Sequence, residues 1–190
     1  MSLEEYQKKR NFSKTEEPKP HKKNSVKKAL RFVIQKHDAS RLHYDFRLEH
    51  ACVLLSWAVP KGPSFNPKER RLAVRVEDHP YEYKDFEGTI PQGEYGGGTV
   101  MLWDEGTWEP EGEVEDMLTL GDLKFTLYGK RLQGKWALVH MKPKPGEEDK
   151  NWLLIKEKDE LAGQDTGIGK YDASVRSNRT MKEISDKLPF

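Results

Sequence analysis

Short runs in which apolar and polar residues alternate fill the chain from residue 31 onward, and turns rich in Gly, Pro or Asn separate them. Alternation with a period of two places the apolar side chains on one face of a β-strand. Eight runs show it: 31–37, 42–48, 53–59, 71–77, 99–103, 123–127, 135–142 and 152–156. Short strands at this spacing predict a mainly all-β fold, and we expect a compact antiparallel β-barrel of about eight strands.

The two ends of the chain lack this alternation. Residues 1–30 are polar and lysine-rich, with Pro18 and Pro20, and predict an extended basic N-terminal arm with a short helix near 4–9. Residues 163–190 are rich in Gly, Asp, Ser and Lys, which predicts a short C-terminal tail outside the barrel, part of it helical over 172–188. The barrel domain is therefore expected to span 31–162.

Length and composition limit the class of protein. A chain of 190 residues has room for one domain, and since it starts at Met1 we expect that domain to stand alone. Its single cysteine, Cys52, excludes a disulfide framework and a thiolate-rich zinc site, and its apolar neighbours predict that it is buried. Without an apolar stretch fit for a signal peptide or a membrane span, we expect a cytoplasmic protein with no membrane partner.

Charge is unevenly distributed along the chain, although the net charge is only +1. Residues 1–31 hold ten Lys or Arg against four acids, whereas residues 77–122 hold fourteen acids against one lysine. A positive surface of this kind attracts phosphate-bearing ligands. A basic disordered tail beside an acidic solvated loop has the same pattern, so charge alone leaves both interpretations open.

The segment 35–48 holds the residues with the most informative chemistry. In a strand, His43, Asp45 and Arg47 share one face, and a short turn brings His37 alongside. Two imidazoles and a carboxylate suit Mn²⁺, Fe²⁺ or Zn²⁺ and leave coordination positions open for water and substrate. Histidines on a polar strand face are also common as plain surface residues, so the spacing alone does not decide for a metal site.

A second polar face follows in residues 71–83, where Arg71, Arg75, Glu77 and His79 alternate with apolar residues. Arginines beside a metal site indicate bidentate contacts with phosphate oxygens. An exposed strand face with an Arg–Glu ion pair is the alternative.

The glycine-rich run 93–98 predicts a turn or bulge rather than a phosphate loop, because no Gly-Lys-Ser/Thr follows and a strand comes next.

Four longer motifs resemble a known family. They read FVIQKHDASRLHYDFRL over 32–48, SWAVPKGP over 56–63, RLAVRVEDHP over 71–80 and FEGTIPQGEYGGG over 86–98. In this order they resemble the 3′-phosphoesterase domain of bacterial DNA ligase D and its free-standing archaeal and bacterial relatives, with a likeness from about residue 6 to 162. The resemblance implies a Mn²⁺-dependent hydrolase of DNA repair by non-homologous end joining. Such an enzyme removes a 3′-terminal ribonucleotide and then the remaining 3′-phosphate.

The resemblance also implies a set of site residues. The metal ligands would be His37, His43 and Asp45, holding Mn²⁺ or alternatively Co²⁺ or Zn²⁺. Catalytic positions would be Arg47, Arg71, Glu77, His79 and Tyr83, and substrate would be bound by Arg10, Glu17, Gln35 and Lys61. The arm would then cover the active site. Asn11 departs from the family pattern, which has an aspartate there. The expected substrates are DNA or RNA-tipped DNA 3′ ends, and the expected partners are a separate DNA ligase and polymerase.

Two further interpretations stay open beside the resemblance. His43 and Asp45 with the distant His140 have the form of a non-haem iron oxygenase triad, although the next arginine after His140 is Arg176. A non-catalytic module that binds DNA ends would also use a basic arm and a barrel.

For the enzyme, we expect Glu77 to raise the pKa of His79, so that the imidazolium of His79 protonates the leaving alkoxide.

Overall fold

The computed structural model describes residues 2–20, 29–163 and 167–187, and β-strands dominate it. The strands are β1 (Arg31–Asp38), β2 (Leu42–His50), β3 (Val53–Val59), β4 (Arg70–Pro80), β5 (Gly88–Ile90), β6 (Gly98–Pro110), β7 (Asp122–Gly129), β8 (Gln133–His140) and β9 (Asn151–Lys156). Short helices are α1 (Leu3–Lys8), α2 (Val114–Leu120) and α3 (Met181–Ser185), and 3₁₀ turns occupy Tyr81–Asp85 and Ile168–Lys170. None of the helices in the described ranges has the length and apolar character needed to cross a membrane.

Eight strands close into an antiparallel barrel, as the sequence predicts. The order around the barrel is β1-β2-β3-β4-β9-β8-β7-β6, and β6 pairs with β1 to complete the circle. Every predicted run overlaps a strand, although the run 135–142 extends two residues past the end of β8. β6 is far longer than the predicted 99–103 because it pairs in turn with β5, β1 and β7. The three-residue β5 and the acidic helix α2 were not predicted.

Two separate groups of buried apolar side chains hold the molecule together. The barrel core fills the interior of the barrel and includes Trp57, Trp103, Trp108, Trp136 and Trp152. The outer core packs the arm and the segment after β4 against the barrel; its members are Tyr6, Leu54, Tyr83, Phe86, Ile90 and Val100. Burial of this second group fixes the segments around the polar site described below.

The C-terminal segment packs against the barrel instead of extending away from it, contrary to the prediction. Ile184 is only 3% exposed and belongs to the barrel core, while Arg176 forms ion pairs with Asp85 and Glu105. The helix in this region is also shorter than the predicted 172–188. It begins after Thr180, whose side chain forms a capping box with Glu183. Residues 164–166 and 188–190 of the predicted tail lie outside the described residues.

Cys52 is exposed, so the prediction that it is buried is wrong. Ala51 and Cys52 form the two-residue turn between β2 and β3, with φ values of 47° and 68°. Two successive positive φ angles define a hairpin turn whose twist matches that of the flanking strands. The backbone at Cys52 is therefore set by the turn, and its side chain does not take part in the alternation of β3.

Candidate active site

The polar site lies on the outer face of strands β1 to β4. Phe46 points into the barrel core, so the alternate residues Asp45 and Arg47 stand on the opposite face of β2. The antiparallel register of β1 and β2 sets His37 opposite His43 and Gln35 opposite Asp45. The arm and the segment 81–96 cover these residues, which leaves a cleft of about 270 Å³.

His37, His43 and Asp45 form a cluster whose possible ligand atoms all lie within 4.8 Å of one another. His37 Nδ1 is 3.4 Å from Asp45 Oδ2, and His43 Nε2 is 3.5 Å from Asp45 Oδ1. The other ring nitrogen of each histidine contacts a backbone carbonyl: His37 Nε2 lies 2.8 Å from Gly96 O, and His43 Nδ1 lies 2.9 Å from Arg41 O. A carbonyl oxygen can only accept, so these nitrogens are the donors.

This arrangement fits a bound cation. Because the outward nitrogens donate to carbonyls, the inner nitrogens, His37 Nδ1 and His43 Nε2, face the Asp45 carboxylate. Each inner nitrogen donates to the carboxylate when it carries a proton and offers a lone pair to a cation when it does not, as in protein metal sites where a carbonyl orients the ligating imidazole. The same cluster also attracts a proton. Burial lowers the pKa of His43, but the hydrogen bond to Asp45 and its negative charge outweigh burial and raise it. The donor set therefore matches the metal site predicted from the sequence.

Arg47 lies next to this cluster and is only 2% exposed. Its Nε donates to Gln35 Oε1 at 2.7 Å, and its Nη2 donates to Asp45 Oδ2 at 3.0 Å. Burial alone would raise the pKa of Asp45, but the charge of Arg47 and hydrogen bonds from His37 and His43 hold it well below its usual value. Among the described residues, Arg47 Nη1 has no hydrogen-bond partner, although it is buried and its residue lines the cleft.

The arm supplies a second guanidinium to the cleft. Arg10 Nε donates to Glu17 Oε1 at 2.7 Å and Nη1 donates to Glu77 Oε1 at 3.1 Å. Lys9 also binds Glu77, at 3.0 Å. The hydroxyl of Tyr83 donates to Glu17 at 3.1 Å, so the arm is tied to the segment after β4 as well as to β4 itself. These contacts bury charged groups of the arm against the barrel.

His79 is neutral in this arrangement. Its Nδ1 donates to the Glu77 carbonyl at 2.9 Å, and its Nε2 accepts from Arg10 Nη2 at 3.3 Å. Burial, together with the charges of Arg47 and Arg10, holds the pKa of His79 well below its usual value. The prediction that Glu77 keeps His79 charged near neutrality is wrong. The hydrogen bond to the Glu77 carbonyl does raise the pKa of His79, but burial and the charges of Arg47 and Arg10 outweigh it. The Glu77 carboxylate is engaged by Lys9 and Arg10.

The structure brings most of the predicted site residues together. The cleft is lined by Arg10, His37, His43, Asp45, Arg47, Glu77, His79 and Tyr83. Glu17 and Gln35 lie behind it: Glu17 holds Arg10, and Gln35 holds Arg47 while donating to the carbonyls of Tyr83 and Phe86. Lys61 and Arg71 are not among the described residues that line it.

Each of the remaining predicted positions has a defined place. Lys61 is exposed on the turn after β3, and Arg71 pairs with Glu69 at 2.5 Å. Asn11, where the family pattern has aspartate, accepts from Ser13 and shapes a turn of the arm. His140 pairs with Asp149 at 2.8 Å and does not join the cluster of His37, His43 and Asp45, so the described residues do not assemble the oxygenase triad.

Three residues at the site were missed in the sequence. Tyr6 packs under the Arg10 guanidinium, Lys9 pairs with Glu77, and Tyr95 lines the mouth of the cleft. Tyr95 had a usable signal, since a large aromatic residue within a glycine-rich turn has few apolar neighbours to pack against. Tyr6 and Lys9 had none, because their contacts depend on how the arm crosses β4.

The fold and site define a class of protein. It is an antiparallel barrel that holds, side by side on its outer face, a cluster of possible metal ligands and a buried guanidinium with one unpartnered nitrogen, Arg47 Nη1. The profile of the DNA ligase D 3′-phosphoesterase domain matches residues 35–140, which is more than half of the chain. The chain belongs to this family.

Several curated proteins are similar to the chain. It is 47% identical over 188 residues to the multifunctional non-homologous end joining protein LigD of Pseudomonas aeruginosa, covering 94% of this chain and 22% of the relative. The protein of the same name from Mycobacterium bovis is 48% identical over 137 residues, covering 72% and 18%, and that from Mycolicibacterium smegmatis is 43% identical over 164 residues, covering 83% and 21%. The chain thus spans about a fifth of the length of these relatives.

Proposed function

We propose that the chain is a metal-dependent 3′-phosphoesterase that heals DNA ends for non-homologous end joining. It would remove a 3′-terminal ribonucleotide by cleaving the phosphodiester, and then remove the remaining 3′-phosphate to leave a hydroxyl. The observation that carries the proposal is the buried and unpaired Arg47 Nη1 next to the His37, His43 and Asp45 cluster. Family membership and the end-joining relatives support the same activity.

The metal would be held by His37 Nδ1, His43 Nε2 and a carboxylate oxygen of Asp45. Two imidazoles and one carboxylate suit Mn²⁺, and Co²⁺ or Zn²⁺ accept the same donors. When bound, the ion supplies Lewis-acid chemistry at the phosphate. The carbonyls of Gly96 and Arg41 keep both rings turned toward Asp45, which orients the donor set before the ion arrives.

Arg47 would bind the phosphate through its free Nη1. Its Nε and Nη2 are fixed by Gln35 and Asp45, so the guanidinium is oriented before substrate binds and needs little rearrangement as charge develops on the phosphate. Arg10 would add a second positive charge from the arm. Both side chains are buried, which strengthens their attraction for an anion compared with exposed arginines.

His79 would handle a proton at Nε2. Its Nδ1 proton is committed to the Glu77 carbonyl, and its lowered pKa keeps the ring neutral near pH 7. Nε2 can therefore take a proton from a hydroxyl or water that displaces Arg10, and return it to the leaving oxygen. Glu77 and Tyr83 would orient the arm through Arg10 and Glu17. Roles for Lys61 and Arg71 in substrate binding stay predictions from the family resemblance.

Phosphate release from a 3′-phosphorylated DNA oligonucleotide, with and without Mn²⁺, tests the proposal. We expect release with Mn²⁺, and we expect an oligonucleotide ending in one ribonucleotide to be shortened to the 3′-phosphate and then to the 3′-hydroxyl. Arg47→Lys should lower kcat/KM by about 10²- to 10³-fold, since a donor that stabilises the transition state is lost. Arg70→Lys, on the exposed start of β4, is the matched control.

Each outcome has a defined meaning for the proposal. Binding of the oligonucleotide without any phosphate release would favour the non-catalytic end-binding module. Release without a divalent metal would contradict the assigned metal site. A 3′-hydroxyl product is what a DNA ligase requires, so a DNA ligase and a polymerase are the proposed partners.

A further inference from the structure

Tyr95 stands at the mouth of the cleft with nearly half of its surface exposed. It is 47% exposed, although it lines the same cleft as Arg47 and His79. It also borders a neighbouring groove of about 520 Å³, whose lining contains the cations Lys8, Lys9, Arg75 and Lys150 together with the carboxylates of Glu5, Glu77 and Glu148. The Tyr95 ring thus lies between the cleft with its buried arginines and a groove that contains cations. A ring in this place can contact a substrate that extends beyond the phosphate.

The loop that carries Tyr95 is fixed relative to the metal-type cluster. The next residue, Gly96, accepts the hydrogen bond from His37 Nε2 through its carbonyl. Gly96 and Gly98 have φ values of +75° and +144°, which glycine adopts without strain, and Gly97 N bonds to Glu94 O across the turn. The ring therefore extends from a turn whose next residue, Gly96, is hydrogen-bonded to the proposed metal ligand His37.

Two cations lie over the Tyr95 ring, and 47% of the residue stays exposed. Lys9 Nζ is 4.9 Å and the Arg10 guanidinium carbon is 5.2 Å from the ring centroid. These cation–π contacts hold Tyr95 toward the arm, where the same two cations also bind Glu77. A nucleobase that contacts the remaining exposed surface would keep its attached phosphate near the guanidinium groups of the cleft.

We propose that Tyr95 is a stacking platform for the nucleobase of the nucleotide that bears the reacting 3′-phosphate. The proposal rests on the proposed function and adds how the DNA end is held. Every base has an aromatic face, so the contact is tolerant of sequence, in keeping with an enzyme that must accept ends of any sequence. The platform gives affinity for a nucleotide over a phosphate ester that lacks a base.

The test compares two 3′-phosphorylated oligonucleotides, one with a normal terminal base and one with an abasic tetrahydrofuran at the terminal position. For the Mn²⁺-loaded enzyme, Tyr95→Ala should raise KM for the base-bearing end by about 5- to 100-fold, the range of a lost base–aromatic stack. For the abasic end the change should be less than twofold. Tyr95→Phe should keep most of the preference for the base. Tyr128→Ala, which removes a tyrosine that is 52% exposed on β7, is the matched control.

Fluorescence anisotropy with the same oligonucleotides repeats the comparison independently of turnover. If Tyr95→Ala weakens both ends equally, Tyr95 acts by holding the arm and the proposal is overturned. It is overturned as well if the wild-type protein binds and cleaves both ends equally. If the wild-type protein binds base-bearing ends better, Tyr95→Ala loses that preference and no phosphate is released, the proposed function fails and the stacking platform stands.

Discussion

Gln35 and Arg47 form a buried pair in which the amide oxygen of Gln35 accepts from Arg47 Nε at 2.7 Å. The amide nitrogen of Gln35 donates to the carbonyls of Tyr83 and Phe86, both at 2.9 Å. One uncharged side chain thus joins the segment after β4 to the guanidinium proposed to bind phosphate. Gln35 is a positioning residue that acts through Arg47.

Gln35→Leu should lower kcat/KM at least tenfold without changing the affinity for Mn²⁺. It leaves two buried carbonyls and Arg47 Nε without their partner, at about 1–3 kcal/mol for each unsatisfied group, so the free energy of unfolding should also fall. Steady-state kinetics measures kcat/KM, and calorimetric titration measures the affinity for Mn²⁺ separately. Gln133→Leu, which removes an exposed glutamine on β8, is the control. Equal loss of Mn²⁺ affinity would argue against a role confined to Arg47.

Alanine at His37, His43 or Asp45 should remove high-affinity Mn²⁺ binding while leaving the barrel folded. Each of these substitutions deletes one donor of a three-ligand cluster on the outer face, away from the barrel core. Electron paramagnetic resonance of Mn²⁺ measures binding, and circular dichroism measures the fold. His50→Ala and His140→Ala are matched controls, because these histidines pair with exposed carboxylates on other parts of the barrel. Full Mn²⁺ affinity in a cluster variant would place the metal elsewhere.

The pKa of His79 should rise when Arg10 is replaced by alanine. Arg10 lowers this pKa by its charge, and loss of its side chain also opens the ring to water, so both effects act in the same direction. NMR titration of the imidazole measures the change. Lys14→Ala removes an exposed cation of the arm and should leave the titration in place. A pKa that stays low in Arg10→Ala would assign the shift to the barrel alone.

A buried neutral His79 also predicts how stability depends on pH. Its folded-state pKa lies below the unfolded value of about 6.5, so the unfolded chain binds more protons as the pH falls through that value. The contribution of His79 to stability is therefore complete above about pH 6.5 and declines below it. Denaturant unfolding of the wild type and of His79→Gln at pH 7.5 and 5.5 should show a smaller decline for the variant. Parallel declines would contradict the assignment.

Ile184→Ala should lower the free energy of unfolding by about 2–5 kcal/mol, the usual cost of truncating a buried aliphatic side chain. The side chain is 3% exposed and belongs to the barrel core, although Ile184 lies on helix α3 and not on a strand. Leu161→Ala, at a position that is 51% exposed, should change stability by less than about 0.5 kcal/mol. Equal effects in urea unfolding would restore the prediction of a tail outside the barrel.

The barrel could be predicted from the sequence because alternation is a local property of each strand. His43, Asp45 and Arg47 share a face for the same reason, and one turn suffices to bring His37 beside them. The environment of His79 could not be predicted, since it depends on Arg10, which lies 69 residues away and reaches the ring only through the docked arm. The docking of Ile184 could not be predicted, because the spacing of Met181, Ile184 and Leu188 indicates a helix but does not show that this helix packs on the barrel.

The division of the molecule into a barrel core and an outer core has a consequence for heating. All five tryptophans lie in the barrel core, whereas the cleft depends on the smaller outer core that joins Tyr6 of the arm to Tyr83 and Phe86. A small apolar cluster that anchors a terminal segment opens at a lower free energy than the closed barrel beneath it. Catalytic inactivation should therefore precede the change in tryptophan fluorescence on warming, and activity should return on cooling as long as the barrel has not melted.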